Sequence, residues 1–209
     1  MKRLLLLVSC FVCAGAFAQE ADKAIESVKV KLALDDRTSV FDVKAVPTNG
    51  PTVLTGETSV PQAKEELLGM LKEQGIETID AITLLPDKKA LDGKIYGVIR
   101  IPVGTLRYGP SYASEQATQL LMGTPVRILK KEGWYLVQTP EDYVSWVSSS
   151  SVEPMTRQQF NEYLSHKKLI FLSDEGWIYE KPDASSARIA SVVVGALLLD
   201  KGSKGKYAH

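Results

Sequence analysis

Cysteine and histidine are scarce in this sequence. Both cysteines, Cys10 and Cys13, lie near the N-terminus, and the two histidines are His166 and His209. Residues 14–209 therefore contain no disulfide, no thiolate metal site and no cysteine nucleophile. A serine nucleophile needs a base within hydrogen-bond reach, and the chain has no Gly-x-Ser-x-Gly motif to present one. We therefore expect neither a catalytic site nor a cofactor in this chain.

An excess of either charge is also lacking. The chain has 25 basic and 25 acidic residues, and 44% of its residues are hydrophobic. Nucleic acid is bound through a basic surface, so the charge balance argues against a nucleic-acid partner. The acidic pairs Asp35-Asp36 and Glu141-Asp142 lie in predicted turns, where acidic residues are common. No set of oxygen ligands is spaced for a hard cation, so we expect a globular protein without a metal.

The N-terminus has the pattern of an export signal. Two basic residues precede an apolar run, and Ala-Phe-Ala at positions 16–18 forms a small-x-small cleavage site. We predict a signal peptide over residues 1–18 and a mature chain that is exported to the periplasm or cell envelope. An alternative uses Leu-Val-Ser-Cys, ending at Cys10, as a lipoprotein processing box, although the apolar stretch before it is short.

Residues 19–88 show the order helix, strand, strand, helix, strand. Apolar residues recur at helical spacing over 19–32, and alternation predicts strands over 40–46, 51–56 and 78–85. The second helix has Pro61 in its first turn, with Thr58 or Ser59 available as a cap. Its predicted apolar face consists of Ala63, Leu67, Leu68 and Leu71. A single sheet of this kind needs a helix layer on one face, so the region is predicted to be a small α+β domain.

This order, with Val53-x-Thr55-Gly56 leading into the second helix, resembles the BON (OsmY and nodulation) domain of envelope proteins. The resemblance implies contact with membrane phospholipid or with an envelope protein. The alternative is an α+β spacer that packs on its neighbour.

The stretch from Thr105 to Val137 occurs twice. Shifted by 72 positions, it lies without a gap on Trp177 to His209. The matched residues include Pro110/Pro182, Ser114/Ser186, Gly123/Gly195, Gly133/Gly205 and Tyr135/Tyr207. Turn residues and apolar positions repeat together, so one fold is used twice. Short strands separated by Gly, Pro and polar turns favour a small barrel.

The motifs of the first copy resemble the bacterial SH3-like (SH3b) domain. They are Leu106-Arg107-x-Gly109-Pro110-Ser111, Gly123-x-x-Val126, Gly133-Trp134-Tyr135-Leu136-Val137 and Tyr143-x-x-Trp146-Val147. We therefore predict a multidomain, mainly β chain whose BON-like αββαβ domain is followed by two SH3-like β-barrels. The first barrel spans 94–154, a linker helix with a capping box at Thr156 spans 155–168, and the second barrel spans 169–209.

The second copy is predicted to be incomplete. The closing segment of the first copy, residues 138–147, would fall on positions 210–219, and the sequence ends at His209. A barrel without its last strands exposes unpaired backbone groups. We therefore expect the chain to be part of a longer protein.

Aromatic residues are concentrated around one predicted groove of the first barrel. They are Tyr108, Tyr112, Trp134, Tyr143 and Trp146, with Glu115 in the same loop. Aromatic faces attract an ammonium group by about 0.5–2 kcal/mol, and a carboxylate adds a charge-assisted hydrogen bond. We predict that Tyr143 is exposed and that Trp146 belongs to the core. Trp134 could either be exposed in the groove or belong to the core.

The order of signal, envelope-type domain and tandem SH3-like domains resembles the N-terminal half of NlpC/P60 cell-wall peptidases, which are similar to γ-D-glutamyl-diamino-acid endopeptidases. In that family a C-terminal papain-like domain supplies the catalytic cysteine. Its first SH3-like domain helps bind the free amino end of the peptidoglycan stem peptide through a Tyr and a Glu. The Tyr matches Tyr143 in Glu-Asp-Tyr-Val-Ser-Trp-Val, and the loop position makes Glu115 the candidate for the Glu. Ser145 stands where glycine is commoner.

The resemblance implies an exported region that targets the cell wall and recognises the peptidoglycan stem peptide. No cysteine follows Cys13, so the chain is not expected to be such a peptidase itself, although its full-length parent is. The alternative is a non-enzymatic envelope adaptor that binds protein or phospholipid through its BON-like and SH3-like domains.

Overall fold

The computed structural model describes residues 18–208. The predicted signal peptide lies outside the described residues, apart from Ala18. The chain divides into two compact units, one ending at Leu85 and the other beginning at Pro86. Within residues 18–208, no helix is long and apolar enough to cross a membrane.

The first unit follows the predicted order of elements. Helix α1 is described over residues 18–31, followed by strands β1 (Phe41–Val46) and β2 (Thr52–Thr58), helix α2 (Pro61–Glu73) and strand β3 (Thr78–Leu84). The sheet order is β1-β2-β3, with β1 antiparallel and β3 parallel to the central strand β2. The parallel pair is possible because helix α2 connects β2 to β3.

The helices bury one face of this sheet. Ala63, Leu67 and Leu71 recur every four residues along α2 and are fully buried. They join Val28 of α1 and Leu54 of β2 in one hydrophobic cluster. Spacing of three and four residues places such side chains on one face of a helix, so the predicted apolar face of α2 is confirmed.

The predicted cap of α2 is wrong. The N-cap residue is Val60, and no side chain in the described part of the chain caps the helix. Thr58 Oγ1 instead accepts a hydrogen bond from Val60 N, and Ser59 Oγ accepts one from Val40 N. Both hydroxyls therefore stabilise the turn from strand to helix, while Pro61 begins the helix at a position where its missing N–H costs no hydrogen bond.

The second unit begins with seven strands and one short 3₁₀ turn. The strands are β4 (Tyr96–Ile99), β5 (Val103–Arg107), β6 (Gln116–Leu121), β7 (Pro125–Glu132), β8 (Trp134–Gln138), β9 (Val144–Ser148) and β10 (Val152–Met155), and the turn is Ser149–Ser151. They form one sheet in the order β10-β4-β7-β8-β9-β5-β6. Its core includes Leu106, Ile128, Val137 and Val147, which are fully buried.

This sheet is open, so the predicted closed barrel is wrong. Within residues 18–208, strand β6 pairs only with β5, and β10 pairs only with β4. Pro154 in β10 has no N–H to donate to a further strand, and proline within a sheet is typical of an edge strand. The fold is therefore SH3-like in its strand sequence, with two unpaired end strands.

Helix α3 (Arg157–Ser165) follows the sheet and begins at the predicted capping box. Thr156 Oγ1 accepts a hydrogen bond from Gln159 N, and the Gln159 side chain accepts one from Thr156 N. The two groups satisfy each other's backbone donors, which explains why the helix starts here.

The remaining strands are β11 (Lys168–Ile170), β12 (Glu175–Tyr179), β13 (Arg188–Val193), β14 (Leu197–Leu199), β15 (Ser203–Lys204) and β16 (Tyr207–Ala208). Strands β12 and β13 lie 72 positions after β5 and β6, with the same lengths. The pairing of Lys168 with Leu199 likewise repeats that of Tyr96 with Arg127. The second copy was predicted to be an incomplete barrel. In the described residues its strands form no closed barrel and make three separate two-stranded ladders.

The two repeats contact each other through equivalent turns. Leu197 N donates to Met122 O at 2.9 Å, and the buried hydroxyl of Tyr163 in α3 donates to Gly123 O. Met122 packs with Val192 and Ala196 in a small buried cluster. The helix between the repeats thus takes part in their junction.

Candidate functional site

The predicted groove lies on the outer face of β8, β9 and the loop after β5. In β9, Ser145 and Val147 are buried, so the alternating residues Val144, Trp146 and Ser148 face outward. Trp134 of β8 is paired with Ser148. The sheet register therefore determines which aromatic residues share this face.

Tyr143 and Tyr108 meet at the beginning of β9. The hydroxyl of Tyr143 donates to the hydroxyl of Tyr108 at 3.0 Å. The pairing of Arg107 with Trp146 brings Tyr108, the next residue, to this end of β9. Tyr108 is 55% exposed, and its own hydroxyl proton is available to a ligand. Tyr143 was predicted to be exposed but is partly buried, and Tyr108 is the exposed member of the pair.

Tyr112 and Trp134 form a second aromatic pair at the other end of β9. Their ring centroids are 4.7 Å apart, with an interplanar angle of 66°. The hydroxyl of Tyr112 lies 3.2 Å from Ser148 Oγ. Tyr112 is 72% exposed and Trp134 is partly buried, so the pair offers ring surface to a ligand.

The five predicted site residues thus form two pairs and one separate acid. Tyr143 and Ser148 are five positions apart along an extended chain, which corresponds to roughly 16 Å. The two pairs lie toward opposite ends of β9, so an elongated ligand lying along β9 could contact both.

Trp146 lies between the two pairs, and its predicted core position is wrong. It is partly buried on the outer face, and Lys130 Nζ lies 5.2 Å from its ring centroid. Strand alternation places Val147, rather than Trp146, in the core. Since Lys130 already occupies a face of the Trp146 ring, the two aromatic pairs are the better sites for a cationic ligand.

The loop that carries Glu115 is held at its base. Tyr108 N donates to Glu115 O at 3.1 Å, and Arg107 Nη1 donates to Ser114 O at 2.6 Å. The carboxylate of Glu115 is exposed and makes no hydrogen bond or ion pair with the described residues. The backbone of Glu115 therefore lies beside the backbone of Tyr108, and its charge remains available.

Sequence reasoning missed three residues at this face. Arg107 anchors the loop, Lys130 covers Trp146, and Ser148 orients Tyr112. The alternation of residues along β9 is a signal in the sequence that Trp146 and Ser148 lie on the same face of the strand. The contacts of Arg107 and Lys130 depend on strand pairing, which the sequence does not display.

Ser145 lies behind this face with a buried hydroxyl. The residue is 2% exposed, and its Oγ has no hydrogen-bond partner among the described residues. It is paired with Val137 of β8. Within residues 18–208, no group of three or more acidic or imidazole side chains is arranged to hold a metal.

Residues 106–152 match the family model described as "Bacterial dipeptidyl-peptidase Sh3 domain". This part of the chain is a bacterial SH3 domain of the dipeptidyl-peptidase type. It contains the whole aromatic face described above. No curated protein matches the chain.

Among solved structures, the chain is similar to NlpC/P60 proteins. An NlpC/P60 endopeptidase from Photobacterium damselae subsp. piscicida has 16% identity and a TM-score of 0.44, covering 60% of this chain and 32% of that chain. An NlpC/P60 family protein from Bacillus cereus ATCC 10987 has 15% identity and a TM-score of 0.42, covering 52% and 48%. NlpC2 from Trichomonas vaginalis has 18% identity and a TM-score of 0.27, covering 51% and 38%. The alignments thus include less than half of each of these three structures.

Proposed function

We propose that this chain is an exported cell-wall recognition region that binds the peptidoglycan stem peptide by its free amino end. The observation that supports this most is the Tyr108–Tyr143 hydroxyl pair, in which Tyr108 is exposed and its backbone is hydrogen-bonded to Glu115, inside the matched SH3 region. The ligand's ammonium group would contact the two tyrosines and the Glu115 carboxylate. The rest of the peptide would extend along β9 toward Tyr112 and Trp134.

The chemistry of the corner suits such a ligand. Phenol oxygens and a carboxylate accept hydrogen bonds from an ammonium group, and those to charged partners are the stronger ones. The hydroxyl proton of Tyr108 can be donated to a peptide carbonyl. The electron-rich ring faces add cation–π attraction.

We also propose that this chain has no peptidase activity of its own. A cysteine peptidase needs a thiolate nucleophile, and no cysteine follows Cys13. Catalysis would belong to an NlpC/P60 domain of the full-length parent. The export signal predicted at residues 1–18 would place the protein in the periplasm or cell envelope.

Contact between the first unit and anionic phospholipid is disfavoured by charge. Residues 18–85 contain seven basic and twelve acidic residues, a net charge of −5. Anionic membranes attract basic segments, so a phospholipid adaptor is the weaker candidate. An adaptor that binds another protein would not need the arrangement of Tyr108, Tyr143 and Glu115, so this function is also the weaker candidate.

The test is a titration of residues 19–209 with a stem tripeptide that has a free L-Ala amine, followed by NMR or calorimetry. We expect saturable binding at millimolar or lower peptide concentration, and none with the N-acetylated peptide. Tyr143→Phe removes one hydroxyl and should weaken binding about 3- to 10-fold, whereas Glu115→Gln should weaken it about 10-fold or more.

Tyr179→Phe is the matched control, because Tyr179 lies in β12 of the second repeat. It should bind like the unchanged chain. Equal binding of the acetylated and free peptides would refute recognition of the amine. Absence of binding at millimolar peptide would refute the proposed function of the isolated chain.

A further inference from the structure

The two edges of the sheet in the first unit differ in how they are covered. At the β3 edge, Leu85 N donates to Thr58 O. Alternation along β3 therefore directs the backbone groups of Ile82 away from β2, toward the edge. Ile82 N donates to Asp80 Oδ1 at 3.0 Å, and Ile82 O accepts from Lys64 Nζ at 2.7 Å. Side chains thus block this edge against a further strand.

The β1 edge has no such cover among the described residues. Ser59 N donates to Val40 O, so Asp42, Lys44 and Val46 direct their backbone groups toward β2. The backbone groups of the intervening residues, Phe41, Val43 and Ala45, point away from β2. No strand pairs with them within residues 18–208. An edge of this kind can template pairing with another strand.

The residues of this edge are complementary to themselves. The segment reads Val40-Phe41-Asp42-Val43-Lys44-Ala45-Val46. About Val43, apolar residues mirror apolar residues and the acidic Asp42 mirrors the basic Lys44. In an antiparallel pair centred on Val43, Asp42 would lie opposite Lys44 of a second copy. Val40 would lie opposite Val46, and Phe41 opposite Ala45. Apolar residues would meet apolar residues and each acid would meet a base, which favours cross-strand pairing.

The charged side chains of this edge are also accessible. The Asp42 and Lys44 side chains are 66% and 72% exposed and pair with each other at 3.4 Å in one copy. Val46 is 43% exposed on the same face of the sheet. Pairing with a second copy would exchange the local ion pair for two intermolecular ones and would cover Val46.

We propose that β1 is a homotypic docking edge, through which two copies of this chain form one continuous six-stranded sheet. The occupant is a second copy, because the order of charges suits an antiparallel β1. The symmetric backbone donors and acceptors of Phe41, Val43 and Ala45 would pair across the two-fold axis. This dimer is independent of the peptide-binding proposal, since it uses only the first unit.

The test measures the molecular mass of residues 19–209 by analytical ultracentrifugation up to millimolar concentration. The unchanged chain should reach a dimer. Asp42→Lys places two lysines on each edge, and Lys44→Asp places two aspartates there, so each variant alone should raise the dissociation constant at least about tenfold. An equimolar mixture of the two variants should recover the dimer, because lysines then face aspartates.

Glu73→Lys is the matched control, because it makes the same charge change at the exposed end of α2 and should leave the dimer intact. Circular dichroism of each variant verifies the fold. A monomeric unchanged chain at all concentrations would overturn the proposal. So would a dimer that both single variants retain, or a mixture that stays monomeric.

Discussion

Gly123 and Gly195 occupy equivalent positions in the two repeats, and we predict that they differ sharply in their tolerance of alanine. Both have a positive φ, +86° and +84°. This conformation costs an L-residue about 1–2 kcal/mol at either position. A methyl group at Gly123 would lie 2.2 Å from Leu197 O, whereas at Gly195 it would meet the side-chain atom Leu121 Cδ1 at 2.9 Å.

The two substitutions should differ in the stability they cost, because one requires a side chain to move and the other requires a backbone segment to move. Leu121 can change its side-chain conformation, so Gly195→Ala should cost little beyond the backbone strain. Gly123→Ala must displace the Leu197 backbone, which breaks its hydrogen bond to Met122 at a cost of about 1 kcal/mol. It also loosens the packing of Met122 against Val192, at a further cost of about 1 kcal/mol. We expect about 3–4 kcal/mol for Gly123→Ala and about 1–2 kcal/mol for Gly195→Ala.

Hydrogen exchange followed by mass spectrometry measures this difference directly. A gap of about 2 kcal/mol corresponds to a roughly 30-fold faster opening of the Leu197 amide in Gly123→Ala than in Gly195→Ala. Urea denaturation provides the companion measurement of stability. Unchanged protection of Leu197 in Gly123→Ala, or equal effects of the two substitutions, would refute the argument from close contact.

Two further substitutions test buried and charged groups. Ser145→Ala should raise the free energy of unfolding by about 1 kcal/mol, because the removed hydroxyl is buried without a partner; a loss of stability in urea denaturation would contradict this. At Asp80, burial raises the pKa, but the hydrogen bonds from Lys64 and Ile82 and the charge of Lys64 lower it below its ordinary value. The stabilisation from this carboxylate is present above its unfolded pKa near 3.8 and is lost as pH falls through the lower folded pKa. Thermal unfolding between about pH 2 and pH 6 should therefore be less pH-dependent in Asp80→Asn than in the unchanged chain; equal profiles would show that the pair contributes nothing.

Local patterns in the sequence predicted most of the elements. The four-residue spacing of Ala63, Leu67 and Leu71 predicted α2 and its buried face. The capping box at Thr156 predicted the start of α3. Such signals are local, since they depend on neighbouring turns of one helix. The cap of α2 could not be predicted in the same way, because Thr58 and Ser59 hydrogen-bond within the preceding turn and to Val40.

The sequence suggested residues for the candidate site but not how they are arranged. The resemblance pointed to Tyr143 and Glu115, and composition pointed to the other aromatic residues. Pairing of β5 with β9 brings Tyr108 to Tyr143, although 35 positions separate them. Alternation in β9 turned Trp146 outward, where Lys130 covers it. These contacts depend on strand register, which no local pattern specifies.

The sequence by itself determined the repeat of 72 residues, the order of helices and strands, and the absence of a cysteine nucleophile from residues 14–209. These properties depend on residue type and spacing, which a linear chain already contains. Only the tertiary structure decided that the first SH3-like sheet is open, that its aromatic residues form two pairs, and that, within residues 18–208, the β3 edge is blocked while the β1 edge is not. Each of these outcomes depends on which distant backbone groups hydrogen-bond to one another, and long-range pairing is settled only when the whole chain packs.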